Sequence, residues 1–128
     1  MRIVHIIAVW FFLQICLNAQ TLSIEAISTD IQKSLQTRLK GQNKAVVQNL
    51  YEKANYKPFW INPEDQYKMN QLILALKDPM FNYKNKSFDQ YAIGQLLYKL
   101  DNNQISTNKK AAVFARLDLM LTNSFVRL

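Results

Sequence analysis

Phe114, Leu117, Leu121, Phe125 and Leu128 recur at steps of three and four, the spacing that lines up side chains on one face of an α-helix. Ala112, Ala115, Leu119 and Val126 add a second apolar face, so this helix requires cover on more than one side. The sequence reaches Leu128 without a Gly or Asn cap, a proline or a polar tail. That ending predicts the front portion of a longer polypeptide, with the chemistry in the further part.

Four more segments read as helices or as breaks between them. Ile24, Ile27, Ile31, Leu35 and Leu39 form one narrow stripe, predicting a helix from about Ser23 to Lys40 that stops at Gly41. A stripe this narrow suits a docking helix, semi-detached from the main core. A second helix is expected over Asn43 to Tyr56, with Val46, Val47, Leu50, Tyr51 and Ala54 inward and Pro58 ending it. After the extended run Phe59-Trp60-Ile61, Asn62-Pro63-Glu64-Asp65 supplies an N-cap, a first-turn proline and two acids. The third helix then carries Tyr67, Leu72, Ile73, Leu74 and Leu76 as far as Asp78, before Pro79. Ser87-Phe-Asp-Gln90 has capping-box spacing and opens a fourth helix bearing Tyr91, Ala92, Leu96, Leu97 and Leu100, closed by the polar run Asp101 to Gln104. Ser106 or Thr107 caps the last helix.

Only two Gly and three Pro punctuate the 128 residues, and almost nothing alternates with period two. The expected fold is all-α, a compact bundle of four to five helices after a signal peptide. Residues 1–19 read as that signal: Arg2, an apolar run from Ile3 to Phe12, and Leu17-Asn18-Ala19 as a small-residue cleavage site. An uncleaved anchor is the alternative, but the apolar stretch of about 15 residues falls short of a membrane span. A lipid-bearing Cys16 is disfavoured by Gln14-Ile15 before it. The expectation is a periplasmic or secreted protein with no stable membrane span after cleavage. Residues 20–42 then form an N-terminal helix or linker and residues 43–128 the main domain.

Export changes the chemistry available. His5 and Cys16 are the only His and Cys, and both fall in the signal segment. Without them the chain has no imidazole base, thiolate or disulfide, and a zinc site would rest on carboxylates alone. Arg2 is the one charged residue lost with residues 1–19, so the net charge of +7 becomes +6. A basic exported protein is attracted to anionic envelope polymers or headgroups, though the lysines are scattered, Lys84-Asn85-Lys86 and Lys109-Lys110 being the nearest to clusters.

Candidate sites are few. Glu64-Asp65 is the only adjacent acid pair, a pattern used in glycoside hydrolysis, but its first-turn position is explained by the helix dipole. Ser23, Ser28, Ser34, Ser87, Ser106 and Ser124 lack a His to activate them. Gly41-Gln-Asn-Lys44 lacks the other glycines of a phosphate loop. Tyr51, Tyr56, Lys57, Phe59 and Trp60 interleave aromatics with a cation, as base-stacking surfaces do, yet at this spacing they read as core. The expectation is therefore no catalytic residue, no metal site, no cofactor and no nucleic-acid partner. Trp60 is predicted to pack against Phe114, Leu117 and Leu121.

Leu50-Tyr51-Glu-Lys-Ala-Asn-Tyr-Lys-Pro-Phe-Trp60 resembles a segment near the start of large exported L,D-transpeptidases: an aromatic, a helix end, an aromatic, a basic residue, then Pro, any residue and Trp. Leu72-Ile-Leu-Ala-Leu76 looks like that family's leucine-rich helix. Ala115-Arg-Leu-Asp-Leu-Met-Leu-Thr-Asn-Ser-Phe125 is similar to its helix of an acid, leucines, Thr and an aromatic. In order, the three span about residues 44 to 128. The resemblance implies a murein L,D-transpeptidase scaffold domain over 43–128, a helical, non-catalytic support for a catalytic domain in the same full-length protein. That partner would cross-link peptidoglycan. The family's Ser-His-Gly-Cys-type catalytic run and its peptidoglycan-binding module are not in this sequence, so no catalytic residue carries over. Asn82 to Asn108 is richer in Asn and Lys than the family's usual Gly- and Asp-rich segment. The alternative is a stand-alone basic periplasmic adaptor or envelope-polymer-binding protein.

Overall fold

A computed structural model describes residues 24–37 and 39–128. Residues 1–23, with the expected signal peptide, His5, Cys16 and Ser23, lie outside the described residues. Among the described residues there are five α-helices and no strand, as the periodicity predicts. These are α1 (residues 24–37), α2 (Lys44–Lys53), α3 (Gln66–Lys77), α4 (Gln90–Asp101) and α5 (Thr107–Arg127). A single 3₁₀ turn, Pro63–Asp65, leads directly into α3.

The long α5 is the axis, with α2, α3 and α4 each packed on it. Its two apolar faces serve two halves of the core. Leu117 and Leu121 join Trp60, Met69, Leu72, Leu76, Phe88 and Ile93 on one side. Ala115 and Leu119 join Ile27, Ile31, Leu35, Val47 and Tyr51 on the other. A helix apolar over most of its circumference gains from burial only in such a double environment. Each fully buried Leu or Ile here contributes about 1.5–3 kcal/mol.

Several boundary expectations fail for local reasons. α1 is not semi-detached, because Ile27, Ile31 and Leu35 are buried in the same core half as α5. Its stop comes earlier than Lys40, since residues 39 and 40 already lie outside the helix and Gly41 (φ +107°) forms the turn into α2. Val46 is 49 % exposed rather than inward. Neighbouring helical residues point about 100° apart, and the i, i+4 pair Val47 and Tyr51 takes the seam. α2 also ends at Lys53 instead of Tyr56.

Two helix ends show how a chain with so few glycines terminates its helices. At the end of α2, the Tyr56 N–H bonds the Tyr51 carbonyl (2.7 Å) and the Asn55 N–H bonds that of Glu52 (3.0 Å). Asn55 sits at φ 54°. At the end of α4 the Gln104 N–H bonds the Lys99 carbonyl (2.9 Å), with Asn103 at φ 51°. Both are Schellman turns with Asn in the left-handed position that Gly usually fills.

The capping box before α4 is not formed. Asp89 precedes the helix at φ 56°, and the Gln90 side chain reaches the Leu76 carbonyl (2.8 Å) instead of turning back. Starting at Gln90 leaves Tyr91 exposed and buries Ile93. Asn62 and Ser106 occupy N-cap positions before the 3₁₀ turn and α5, but neither side chain caps.

Candidate functional site

The feature that sets this bundle apart is a polar knot in its centre, assembled where the segment after α2 meets α5. The Schellman turn reverses the chain at Asn55-Tyr56, and Pro58 prevents any helix from resuming at Lys57. Phe59-Trp60-Ile61 therefore crosses the face of α5 in an irregular conformation, and its amides have no helical partners. Buried amides of this kind need acceptors, because each unpaired one costs about 1–3 kcal/mol.

Asp118 supplies them. It is fully buried in the middle of α5, and its carboxylate accepts from three groups. Oδ1 takes the Phe59 N–H (3.0 Å) and the Tyr51 hydroxyl (2.5 Å), and Oδ2 takes the Trp60 N–H (2.9 Å). One turn further along α5, Thr122 Oγ1 accepts from Trp60 Nε1 (2.9 Å) and lies 2.7 Å from the Tyr51 oxygen. Because the single Tyr51 proton points at Asp118, Thr122 must donate to Tyr51. A directional chain results, from Trp60 through Thr122 and Tyr51 to Asp118.

Burial pushes the Asp118 carboxyl above the usual carboxylate range, against the opposing pull of the Tyr51 hydroxyl and the Phe59 and Trp60 amides. Burial first, and then the Asp118 charge, push the Tyr51 hydroxyl well above its ordinary value. Around the knot, the Tyr51 and Phe59 rings pack at 4.9 Å between centroids, and the Trp60 and Phe125 rings at 5.7 Å. Trp60 shares a core cluster with Leu117 and Leu121, as expected; Phe114 instead packs at the edge of the other core half.

The family described as Scaffold domain matches residues 45–128. That is well over half of the chain, and it takes in every member of the knot. The chain belongs to the scaffold-domain family. The match is consistent with the scaffold domain of L,D-transpeptidases, an all-helical and non-catalytic unit. No curated protein and no solved structure matches the chain. In this scaffold domain α1 lies before the matched residues, yet it packs into the shared core through Ile27, Ile31 and Leu35.

The other sequence candidates are dispersed over the scaffold domain. Asp65 ends the 3₁₀ turn, accepts from Asn62 Nδ2 (2.9 Å) and pairs with Lys68 (3.1 Å). The Asn62 amide and Lys68 hold its carboxyl below the usual range. Its neighbour Glu64 is exposed and lines an open, mostly apolar cleft with Ile24, Ile27, Ile61 and Phe114 that Asp65 does not reach, so the two acids do not share a site. Ser124 is buried and donates to the Phe88 carbonyl (3.0 Å), while Ser87 and Ser106 are exposed and Ser28 and Ser34 half-buried. Gly41 to Lys44 is a surface turn. Tyr51 and Trp60 are core residues and Phe59 is half-buried, so no stacking platform exists there. Among the described residues no three His, Cys, Asp or Glu side chains gather to hold a metal.

Sequence reasoning passed over Asp118 and Thr122 as chemical groups. Their signal was present: an acid and a hydroxyl at i and i+4, on one face of a helix whose sequence carries apolar residues on two faces.

Proposed function

We propose that this chain is the helical scaffold of a periplasmic L,D-transpeptidase, holding a catalytic domain in place at the peptidoglycan during cell-wall cross-linking. The observation that carries this reading is the use of Asp118 and Tyr51. These are the buried ionisable groups of the matched region, and each is engaged by the chain's own amides and hydroxyls. A carboxylate held by three internal donors acts as a structural pin, not as a base facing a substrate. The ordered resemblance of Leu50–Trp60, Leu72–Leu76 and Ala115–Phe125 to the transpeptidase scaffold adds the partner: a catalytic domain with its own Cys and His.

The test joins two measurements. Joined in one polypeptide to a transpeptidase catalytic domain, the chain should raise cross-link formation above that of the catalytic domain alone. Alone, it should bind isolated peptidoglycan weakly. Saturable, salt-sensitive binding by the chain alone, with no gain in cross-linking on fusion, would favour a stand-alone basic envelope-polymer-binding protein, a reading encouraged by the +7 charge.

A further inference from the structure

The segment between α3 and α4 is held rigidly from inside while its outer face stays apolar. Asn82 is buried, and its side chain donates to the carbonyls of Leu76 (2.8 Å) and Lys86 (2.7 Å) and accepts from the Lys86 N–H (2.8 Å). Asp78 Oδ1 accepts from the Met80 N–H (2.8 Å). Hung from these bonds, the loop presents Met80, Phe81 and Tyr83 outward at 82 %, 53 % and 73 % exposure. Leu74 of α3 and Phe125 and Leu128 at the end of α5 are exposed beside Phe81 and line one open groove with it, about 640 Å³ in volume. Lys68, Gln71 and Asp78 line the same groove, and exposed apolar side chains gathered beside polar ones in this way favour an interaction site.

The charges beside it select the partner. Lys77 and Lys84 are exposed, and Lys86 is half-buried, all within the same ten-residue stretch. Lys84 Nζ lies 5.6 Å from the Tyr83 ring centre, and Lys86 Nζ bonds the Arg127 carbonyl (3.0 Å). Asp78 is the one acid from Lys77 to Lys86, and its carboxylate is turned back onto the loop. Apolar and aromatic tips beside lysines match the boundary of a bilayer, where the tips enter the acyl region and the lysines meet anionic headgroups.

We propose that Met80, Phe81 and Tyr83, with Lys77, Lys84 and Lys86, form a foot that seats the scaffold on an anionic phospholipid surface. Seating would be interfacial, since among the described residues no helix is long and apolar enough to cross a membrane.

The test uses the full chain on vesicles of neutral phospholipid with about one third anionic lipid and brominated acyl chains. The apolar run Ile3 to Phe12 favours lipid by itself, so position-specific quenching is the readout. An indole is placed on the foot by Phe81→Trp and, as control, on α4 by Tyr98→Trp, about 12 Å along that helix from its Gln90 start; both are made with Trp10→Phe and read as the difference from the Trp10→Phe parent, whose remaining indole is Trp60. The indole at position 81 should be quenched several-fold more than the one at 98. Each lysine adds about fivefold to partitioning onto such a surface, so Lys77→Glu with Lys84→Glu should erase the contrast, as should purely neutral vesicles. Circular dichroism identical to wild type confirms that these exposed substitutions leave the fold intact. Equal quenching at 81 and 98, or quenching at 81 that ignores the lysine reversal, would overturn the proposal. So would an indole at 81 that stays unquenched on anionic vesicles but shifts when a transpeptidase catalytic domain is added, which would assign the face to protein.

Discussion

Removing the Asp118 carboxylate is the sharpest perturbation of this fold. Asp118→Ala strips the acceptor from the Phe59 and Trp60 amides and from the Tyr51 hydroxyl, which lie 3.0, 2.9 and 2.5 Å away. Each buried donor left unpaired costs about 1–3 kcal/mol. Tyr51 keeps its contact to Thr122 and water can enter the space vacated, so the sum lies near the lower bound, about 3–5 kcal/mol. Asp118→Asn separates charge from shape. Its carbonyl oxygen can still serve Tyr51 and Phe59, but its amide nitrogen meets the Trp60 N–H donor to donor, for a cost of about 2–3 kcal/mol. Against a total stability of about 5–15 kcal/mol, either change is large. Urea unfolding followed by circular dichroism at 222 nm reads both. The expected order is wild type, then Asn, then Ala, with both variants more than about 1 kcal/mol below wild type. An Asn variant as stable as wild type would refute the claim that the loop is pinned by this carboxylate.

Three other outcomes follow from the same geometry. Trp60→Ala removes a buried indole and its bond to Thr122, so a loss of about 3–5 kcal/mol is expected; a melting shift equivalent to less than 1 kcal/mol would contradict its burial. Ile31→Ala in α1 should cost about 2–5 kcal/mol and leave one cooperative transition, whereas near-neutrality or a separate early transition would show α1 to be detached. The third concerns pH. Tyr51 in the folded chain holds its proton more tightly than in the unfolded chain, where its value is the ordinary one near 10. Its contribution to stability is therefore complete below pH 10 and is lost as pH rises above it. The urea midpoint of wild type should fall more steeply between about pH 9.5 and 11 than that of Tyr51→Phe; parallel profiles would exclude Tyr51 as the cause.

Much of the fold was legible because helical periodicity is a local property. The stripe in Ile24 to Leu39 and the doubled faces of Phe114 to Leu128 locate α1 and α5, and Pro58, Pro63 and Pro79 mark the breaks. Helix ends were less legible. Standard stop signals rely on Gly, whereas this chain places Asn55, Asn85 and Asn103, and even Tyr56, Phe88 and Asp89, at positive φ. Those choices are dictated by hydrogen bonds that form only after the chain has turned. The face of α2 was misjudged because Val46 and Val47 are equally apolar, and only the position of α5 decides between them. The knot was the least legible element. Asp118 and Tyr51 lie 67 residues apart in sequence, and no local pattern pairs them. What could have been seen was the anomaly itself, a lone acid flanked by Leu117, Leu119 and Leu121, which requires donors from elsewhere.

The claim that this chain braces a transpeptidase domain and performs no chemistry itself meets its most direct test in one assay of cross-linked muropeptides. The chain would be compared alone, joined to a catalytic domain, and joined while carrying Asp118→Asn. Cross-links should be absent with the chain alone, abundant with the fusion, and reduced by Asp118→Asn in proportion to the loss of folded scaffold. Cross-link formation or cleavage by the chain alone, or a fusion indifferent to Asp118→Asn under conditions where the scaffold is measurably unfolded, would contradict it.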